Sequence, residues 1–363
     1  MANAPRAAVR LPATARTGAG RDVRHAAPAL GSVGRPKQRL PSVSAVASAP
    51  APGAVAVTWR ARLPVLRQVL VAAFVLIAAG LLWRYARGIH WREVGAAIAG
   101  YPPSRLALAA LASLAAYACY GGFDLLARAY TGHRLSRRRV LAIAFISYAF
   151  LLNLGGMVGG FGLRYRLYSQ SGLGVATISR IAVFAVASNW SGVLLLGGLA
   201  FALERVPLPP AWGVASQALR IAGIVMLAAL AAYLALCASS RRRWSLRGHE
   251  IELPSLPIAA LQVAVASSGW LAIAAILTLL MPAPAPYLTV AGVLLLSVLA
   301  NLVIRVPANL GVLEAVFIAI LGPPLGAPQV LAAVLTYRAL FHLGPLLLAL
   351  AAYGLFEIHA RRR

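Results

Sequence analysis

The chain has 363 residues, of which 61% are hydrophobic and only 12% charged, with a mean hydropathy of +0.79 and a formal net charge of +26. Soluble domains average roughly 45–50% apolar and about 25% charged residues, so a soluble globular protein is excluded. Lys37 is the sole lysine, and the arginines gather in the N-terminal tail and in short loops between apolar stretches. That placement points to the positive-inside rule and anionic headgroups, and no nucleic-acid partner is expected.

From Met1 to about Thr58 the chain is rich in Ala, Pro, Arg, Ser and Gly without apolar periodicity, so residues 1–58 are expected to be a disordered cytoplasmic tail. Its many arginines and single acid, Asp22, superficially resemble an organelle transit peptide, and no secretory h-region precedes the first span. Residues 59–363 read as one integral-membrane domain. Continuous apolar segments run over Pro64–Trp83, Leu106–Ala127, Ile178–Ala202, Ala218–Ala238, Ile258–Met281 and Gln329–Phe356. Two longer ones, Val140–Ala176 and Tyr287–Ala327, are interrupted in the middle. Cys119 and Cys237 lie in apolar segments without metal or redox spacing and are expected to be buried, unpaired thiols.

Basic clusters set the orientation. Arg60, Arg62 and Arg67, the loop Arg134–Arg139, Arg241–Arg243 with Arg247, and Arg361–Arg363 all belong on the cytoplasmic side, with both termini. Taking each interrupted segment as one crossing puts Arg241–Arg243 outside. Taking each as a hairpin that dips in and returns satisfies every strong cluster. The expected fold is therefore an all-α polytopic membrane protein with about six full transmembrane helices and two re-entrant helical hairpins, about eight apolar segments in all, arranged as an inverted repeat. Ser147, Asn153, Gly162 and Arg180 in the first unit parallel Ser297, Asn301, Gly311 and Arg338 in the second.

The interruptions carry the candidate chemistry. In the first, Asn153-Leu-Gly-Gly-Met-Val-Gly-Gly-Phe-Gly162 precedes Arg164, Arg166 and Tyr168. Gly159, Gly160 and Gly162 superficially match a dinucleotide loop, but both flanks are membrane helix and that motif needs a βαβ unit. The surviving reading is a tight turn whose N–H groups, with the following helix start, face an anion, while guanidinium forks receive a lipid phosphate. The alternative is that the glycines allow close packing and the arginines anchor the hairpin at the interface. In the second, Asn301, Arg305, Pro307, Gly311 and Glu314 are followed by Arg338 and His342. Lone charges at membrane depth cost roughly 2.5–3.5 kcal/mol each, so Arg305, Glu314 and Arg338 should find one another or line an aqueous cavity. Asp124 has Arg128 four residues on, a local ion pair near a span end. Asn189, Trp190 and Gly192 are helix-packing glue or cavity lining. No nucleophile–base set, zinc motif, Walker loop or carboxylate pair is present, and no metal or cofactor is expected.

Gly160–Ser169, Thr177–Ile181, Ser188–Gly192, Pro307 with Gly311–Phe317, Tyr337–Phe341 and Pro345-Leu346 together resemble the lysylphosphatidylglycerol synthetase transmembrane-region family, in its YbhN-like stand-alone branch of bacterial inner-membrane proteins. The resemblance spans about Val65 to Glu357. It implies a flippase-like, lipid-handling membrane module. The soluble aminoacyl-transferase domain of fused family members has no room before Arg363, so the chain is expected not to be an enzyme. Carried onto this sequence, Arg164 and Arg166 mark the first motif, and Arg305, Glu314 and Arg338 the second. Val306-Pro-Ala-Asn309 departs from the family's usual polar residue and glycine around the proline. The expected function is binding and translocation of a phospholipid or other anionic or amphiphilic lipid across the inner membrane. The alternative is a non-catalytic membrane partner that presents lipid to a separately encoded lipid-modifying transferase. The sequence leaves the oligomeric state open.

Overall fold

The computed structural model describes residues 91–361, apart from 156–159, 209–215, 240–242, 247–248, 283, 305, 307 and 308. The predicted tail and the first predicted span, Pro64–Trp83, lie outside the described residues.

Helix boundaries follow local chemistry. A short helix α1 (Trp91–Ala99) precedes α2 (Pro103–Thr131), which starts on a proline whose fixed φ suits the first turn. It ends at Gly132, where φ is +71° and the N–H bonds the Arg128 carbonyl. Helix α3 (Arg137–Leu154) is capped by Ser136, whose hydroxyl accepts from the Arg139 N–H, and stops at Gly155 with φ +80°. A brief π turn at Gly160–Gly162 leads into α4 (Leu163–Ser169). Then come α5 (Val175–Ala202), α6 (Ser216–Ala238), α7 (Leu256–Leu280), α8 (Tyr287–Ile304), α9 (Val312–Leu325) and α10 (Ala327–Tyr337). A π-helical stretch, Arg338–Leu343, joins α10 to α11 (Gly344–Arg361).

Among the described residues, six helices are long and apolar enough to cross a membrane. Five coincide with the predicted full spans, α10 to α11 counting as one of them. The sixth is α8, the first arm of the second interrupted segment. After each break the return helix is short, 7 residues in α4 and 14 in α9. The entering helices α3 and α8 have 18 residues each, which at 1.5 Å per residue is about 27 Å, close to the bilayer's apolar thickness.

One segment departs from the all-α expectation. Between α6 and α7, β1 (Arg243–Leu246) and β2 (His249–Glu252) form a two-stranded antiparallel hairpin, with Arg243 opposite Glu252. It lies in a polar loop, where water can satisfy strand edges that hydrocarbon would not.

Glycines set how closely the helices approach. A Cβ on Gly192 would fall 2.7 Å from the Ala266 carbonyl carbon, so α5 and α7 meet almost backbone to backbone. Polar contacts reinforce that layer. The Gln262 amide donates to Ser188 Oγ at 2.9 Å and accepts from the Tyr233 hydroxyl at 2.6 Å, tying α7 to α5 and α6. Helix α1 docks through Val94 on Leu331 and Ala332 of α10. Arg139 Nε donates to Ser171 Oγ at 3.0 Å, so the first turn of α3 is bonded to the turn that follows α4.

Candidate functional site

Asp124 in α2 is fully buried, and an ionised carboxylate there must be paired or hydrogen-bonded. Two residues of α4, one turn apart, meet that demand. Arg164 Nη2 lies 3.2 Å from Asp124 Oδ2, and the Tyr168 hydroxyl donates to Oδ1 at 2.8 Å. The Arg164 guanidinium also sits over the Tyr148 ring, 4.8 Å from its centroid, and Tyr148 stacks on Tyr120 at 4.4 Å. A neutralised, aromatic-flanked arginine therefore occupies the position just after the glycine-rich break.

The second cluster forms where the chain breaks between α8 and α9. Asn301 Oδ1 accepts the Val306 N–H at 3.1 Å. Asn309 and Gly311 hold positive φ, +55° and +79°. Glu314 Oε2 accepts the Gly311 N–H at 2.8 Å, closing the helix start. Arg338 grips this loop from the π stretch. Its Nε donates to Glu314 Oε1, and its Nη2 donates to Glu314 Oε2 at 3.1 Å and to the Asn309 carbonyl at 2.8 Å. This is side-on, bidentate pairing, the strong form of the arginine–carboxylate contact. His342 is buried beside it, its ring 5.2 Å from those of Tyr337 and Phe341, and its Nδ1 has no hydrogen-bond partner.

The two clusters touch. Asn153, in the last turn of α3, donates from Nδ2 to the His342 carbonyl at 3.0 Å and to the Ala149 carbonyl at 2.8 Å. Two cavities open beside this junction. The first, of about 200 Å³, has Arg164, Gly160, Phe161, Asn189 and Trp190 among its walls. The second, of about 260 Å³, includes Asn301, Asn309, Arg338 and His342. Tyr120, Leu151, Leu152 and Trp270 line both, so the cavities share a wall. Phe161 and Val186, which line the first cavity, are 53% and 46% exposed, so it reaches the surface of the helix bundle.

The lysylphosphatidylglycerol synthase TM region family matches residues 70–349, a stretch that includes both breaks and both ion pairs. The chain belongs to this family. It is similar to the inner membrane protein YbhN of Escherichia coli (strain K12), 42% identical over 300 residues that cover 82% of this chain and 94% of that protein. It is also 28% identical over 297 residues to the uncharacterized protein slr0712 of Synechocystis sp., covering 80% of this chain and 92% of the relative. The chain is a multi-pass inner-membrane protein of the lysylphosphatidylglycerol synthase TM region family.

Within this family member, the residues singled out by sequence are distributed unevenly. Asn153, Arg164 and Tyr168 lie in the first cluster or at the junction, and Asn301, Gly311, Glu314, Arg338 and His342 in the second. Gly160 packs on Leu151, whose Cδ1 would be 2.6 Å from an added Cβ, and Gly162 starts α4. Arg166 is exposed, with its guanidinium 5.8 Å from the Tyr353 ring centroid. Arg180 is apart from both cavities. It pairs with Glu252 at 3.0 Å and lies over Tyr130. Gly159, Arg305 and Pro307 are outside the described residues. Asp124 corrects the sequence reading, because its partner is Arg164 and not Arg128, whose Nε instead donates to the Leu135 carbonyl at 2.7 Å. Helix α4 is too short to present a strong terminal dipole to an anion. The shared-wall residues Tyr120 and Trp270, together with Tyr148 and Asn309, carried no signal beyond being polar or aromatic within apolar sequence. Asp124 did carry one, as a lone acid within a 29-residue apolar helix.

Proposed function

We propose that this protein binds a phospholipid or similar amphiphile and carries its headgroup across the inner membrane through the two joined cavities, without catalysing a reaction. The observation that carries the reading is the shared wall: each cavity has among its walls an arginine paired to a carboxylate, Arg164 with Asp124 and Arg338 with Glu314, and the cavities adjoin. Ionisable groups kept inside an apolar bundle are costly and mark substrate pathways. The opening past Phe161 and Val186 suits lateral access for a lipid whose acyl chains stay in the bilayer. Arg166, exposed one turn from the first cavity, meets the phosphate first, and the Arg164 pair receives it within. Anionic headgroups of the surrounding bilayer engage the exposed Arg137 and Arg138 at the start of α3.

We read both interrupted segments as re-entrant hairpins in an inverted repeat. The Arg139–Ser171 hydrogen bond supports a first hairpin that enters and leaves on one side. Gly162 and Gly311, each immediately before a return helix, and the buried Ser147 and Ser297 support the repeat. Both termini and the 1–58 tail are assigned to the cytoplasm.

The test is reconstitution into vesicles with fluorescent phospholipids, followed by dithionite bleaching of the outer leaflet. Active protein exposes inner-leaflet lipid to bleaching, and Arg164→Ala with Arg338→Ala abolishes this. An unchanged rate in the double variant would remove the mechanism. Lipid that binds without moving would favour presentation to a separate transferase.

A further inference from the structure

We infer that the headgroup taken into these cavities carries no net negative charge, and is either zwitterionic or neutral and hydroxylated. This deepens the translocation reading and takes its setting from it. Arg164 and Arg338 are the cationic residues among the described cavity walls. Each already has a carboxylate in contact: Asp124 at 3.2 Å from Arg164, and Glu314 bidentate on Arg338. An approaching anion is attracted by the guanidinium and repelled by the carboxylate a few ångströms behind it, and the two terms largely cancel. What remains does not offset the dehydration of a net charge.

An ion pair is a fixed dipole, and its complement is another dipole. A zwitterionic headgroup places its phosphate toward the guanidinium and its ammonium toward the carboxylate. The other polar walls of the second cavity are hydrogen-bonding side chains, Asn301, Asn309 and His342. Asn309 Oδ1 is buried without a hydrogen-bond partner. An amide oxygen needs an N–H or O–H donor, which a primary ammonium or a hydroxyl supplies and a phosphate oxyanion or a quaternary ammonium does not. Exposed arginines such as Arg137 and Arg138 lie elsewhere and bind anionic lipid at the bundle surface.

The test separates cavity lipid from surface lipid. Purified full-length protein is equilibrated in mixed micelles with equal phosphatidylethanolamine, phosphatidylcholine and phosphatidylglycerol of identical chains, and retained lipid is counted by mass spectrometry. The same is done for Leu152→Trp, which fills the shared wall. The difference between the two is the cavity component. It should favour phosphatidylethanolamine over phosphatidylglycerol several-fold, with phosphatidylcholine, whose ammonium has no N–H to donate, between them. In Glu314→Gln, where Arg338 loses its counter-charge, the ratio should move about tenfold toward phosphatidylglycerol. Asp124→Asn should do the same through Arg164, so failure of one variant to fold leaves the other, and the wild-type ratio decides alone if neither folds. An equal or phosphatidylglycerol-rich cavity component in wild type, no cavity component at all, or an unmoved ratio in a folded variant overturns the assignment. A zwitterionic preference without bleaching of inner-leaflet lipid would instead defeat the translocation reading and leave the headgroup assignment standing.

Discussion

Replacing Asp124 with asparagine keeps the side-chain shape and removes its charge, leaving Arg164 buried without a counter-ion. Arg164 and Asp124 have side chains only 6% and 0% exposed, so water cannot take over the pairing. Breaking a buried pair from one side costs about 3–5 kcal/mol, because the surviving charge is stranded. The Tyr168 hydroxyl also loses a charged acceptor but can still donate to the amide oxygen, a loss of about 1 kcal/mol that lies within that range. Removing both charges with Asp124→Leu and Arg164→Met should be less damaging than either single change, since no charge remains buried. Equilibrium unfolding in mixed detergent micelles, followed by circular dichroism, gives the three differences and hence the coupling energy. The expected coupling is at least about 2 kcal/mol. A single-variant loss below about 1 kcal/mol, in the range of an exposed pair, would refute the buried pairing.

Four further outcomes are expected. Gly192→Ala should destabilise the protein by about 1–3 kcal/mol in the same unfolding assay, because its Cβ would meet the Ala266 backbone at 2.7 Å. In a background lacking Cys119 and Cys237, a cysteine placed at Gly174 should label from the cytoplasm together with one at Ser136, and cysteines at Ala283 and Gly326 should share the outer side; opposite labelling within either pair would break that hairpin. Burial, and then the charge of Arg128, hold the His133 imidazole in the α2–α3 loop below its ordinary range. Because the unfolded chain takes up that proton more readily, stability should be full above about pH 6.5, fall as the pH drops through that value, and lose this slope in His133→Gln. Arg180→Ala, which removes the contact to Glu252 outside the cavities, should leave the bleaching rate unchanged, whereas a large loss would place Arg180 in the path.

The helices and both breaks were legible because apolar length and the glycines at Gly155 and Gly311 act locally. Glu314 with Arg338 was legible for a different reason: charges at membrane depth must find partners, and few were on offer among the eight acids of the chain. The same argument should have led from Asp124 to Arg164, but Arg128 one turn away offered a nearer partner. Only the fold shows that α4 returns beside α2 while Arg128 turns to the Leu135 carbonyl. The pairing of Arg180 was not legible, because its partner Glu252 comes from a hairpin that periodicity did not reveal. The shared wall was illegible, since Tyr120, Leu151, Leu152 and Trp270 come from three helices and read as ordinary core.

The central claim is that the two cavities are one path. Its most direct test is the rate of dithionite bleaching of inner-leaflet phosphatidylethanolamine in vesicles holding wild-type protein or Leu152→Trp. The indole should fill the shared wall while leaving both ion pairs intact, and the rate should fall at least about tenfold, equivalent to roughly 1.4 kcal/mol on the barrier. An unchanged rate in a folded Leu152→Trp protein would contradict a headgroup path through that wall.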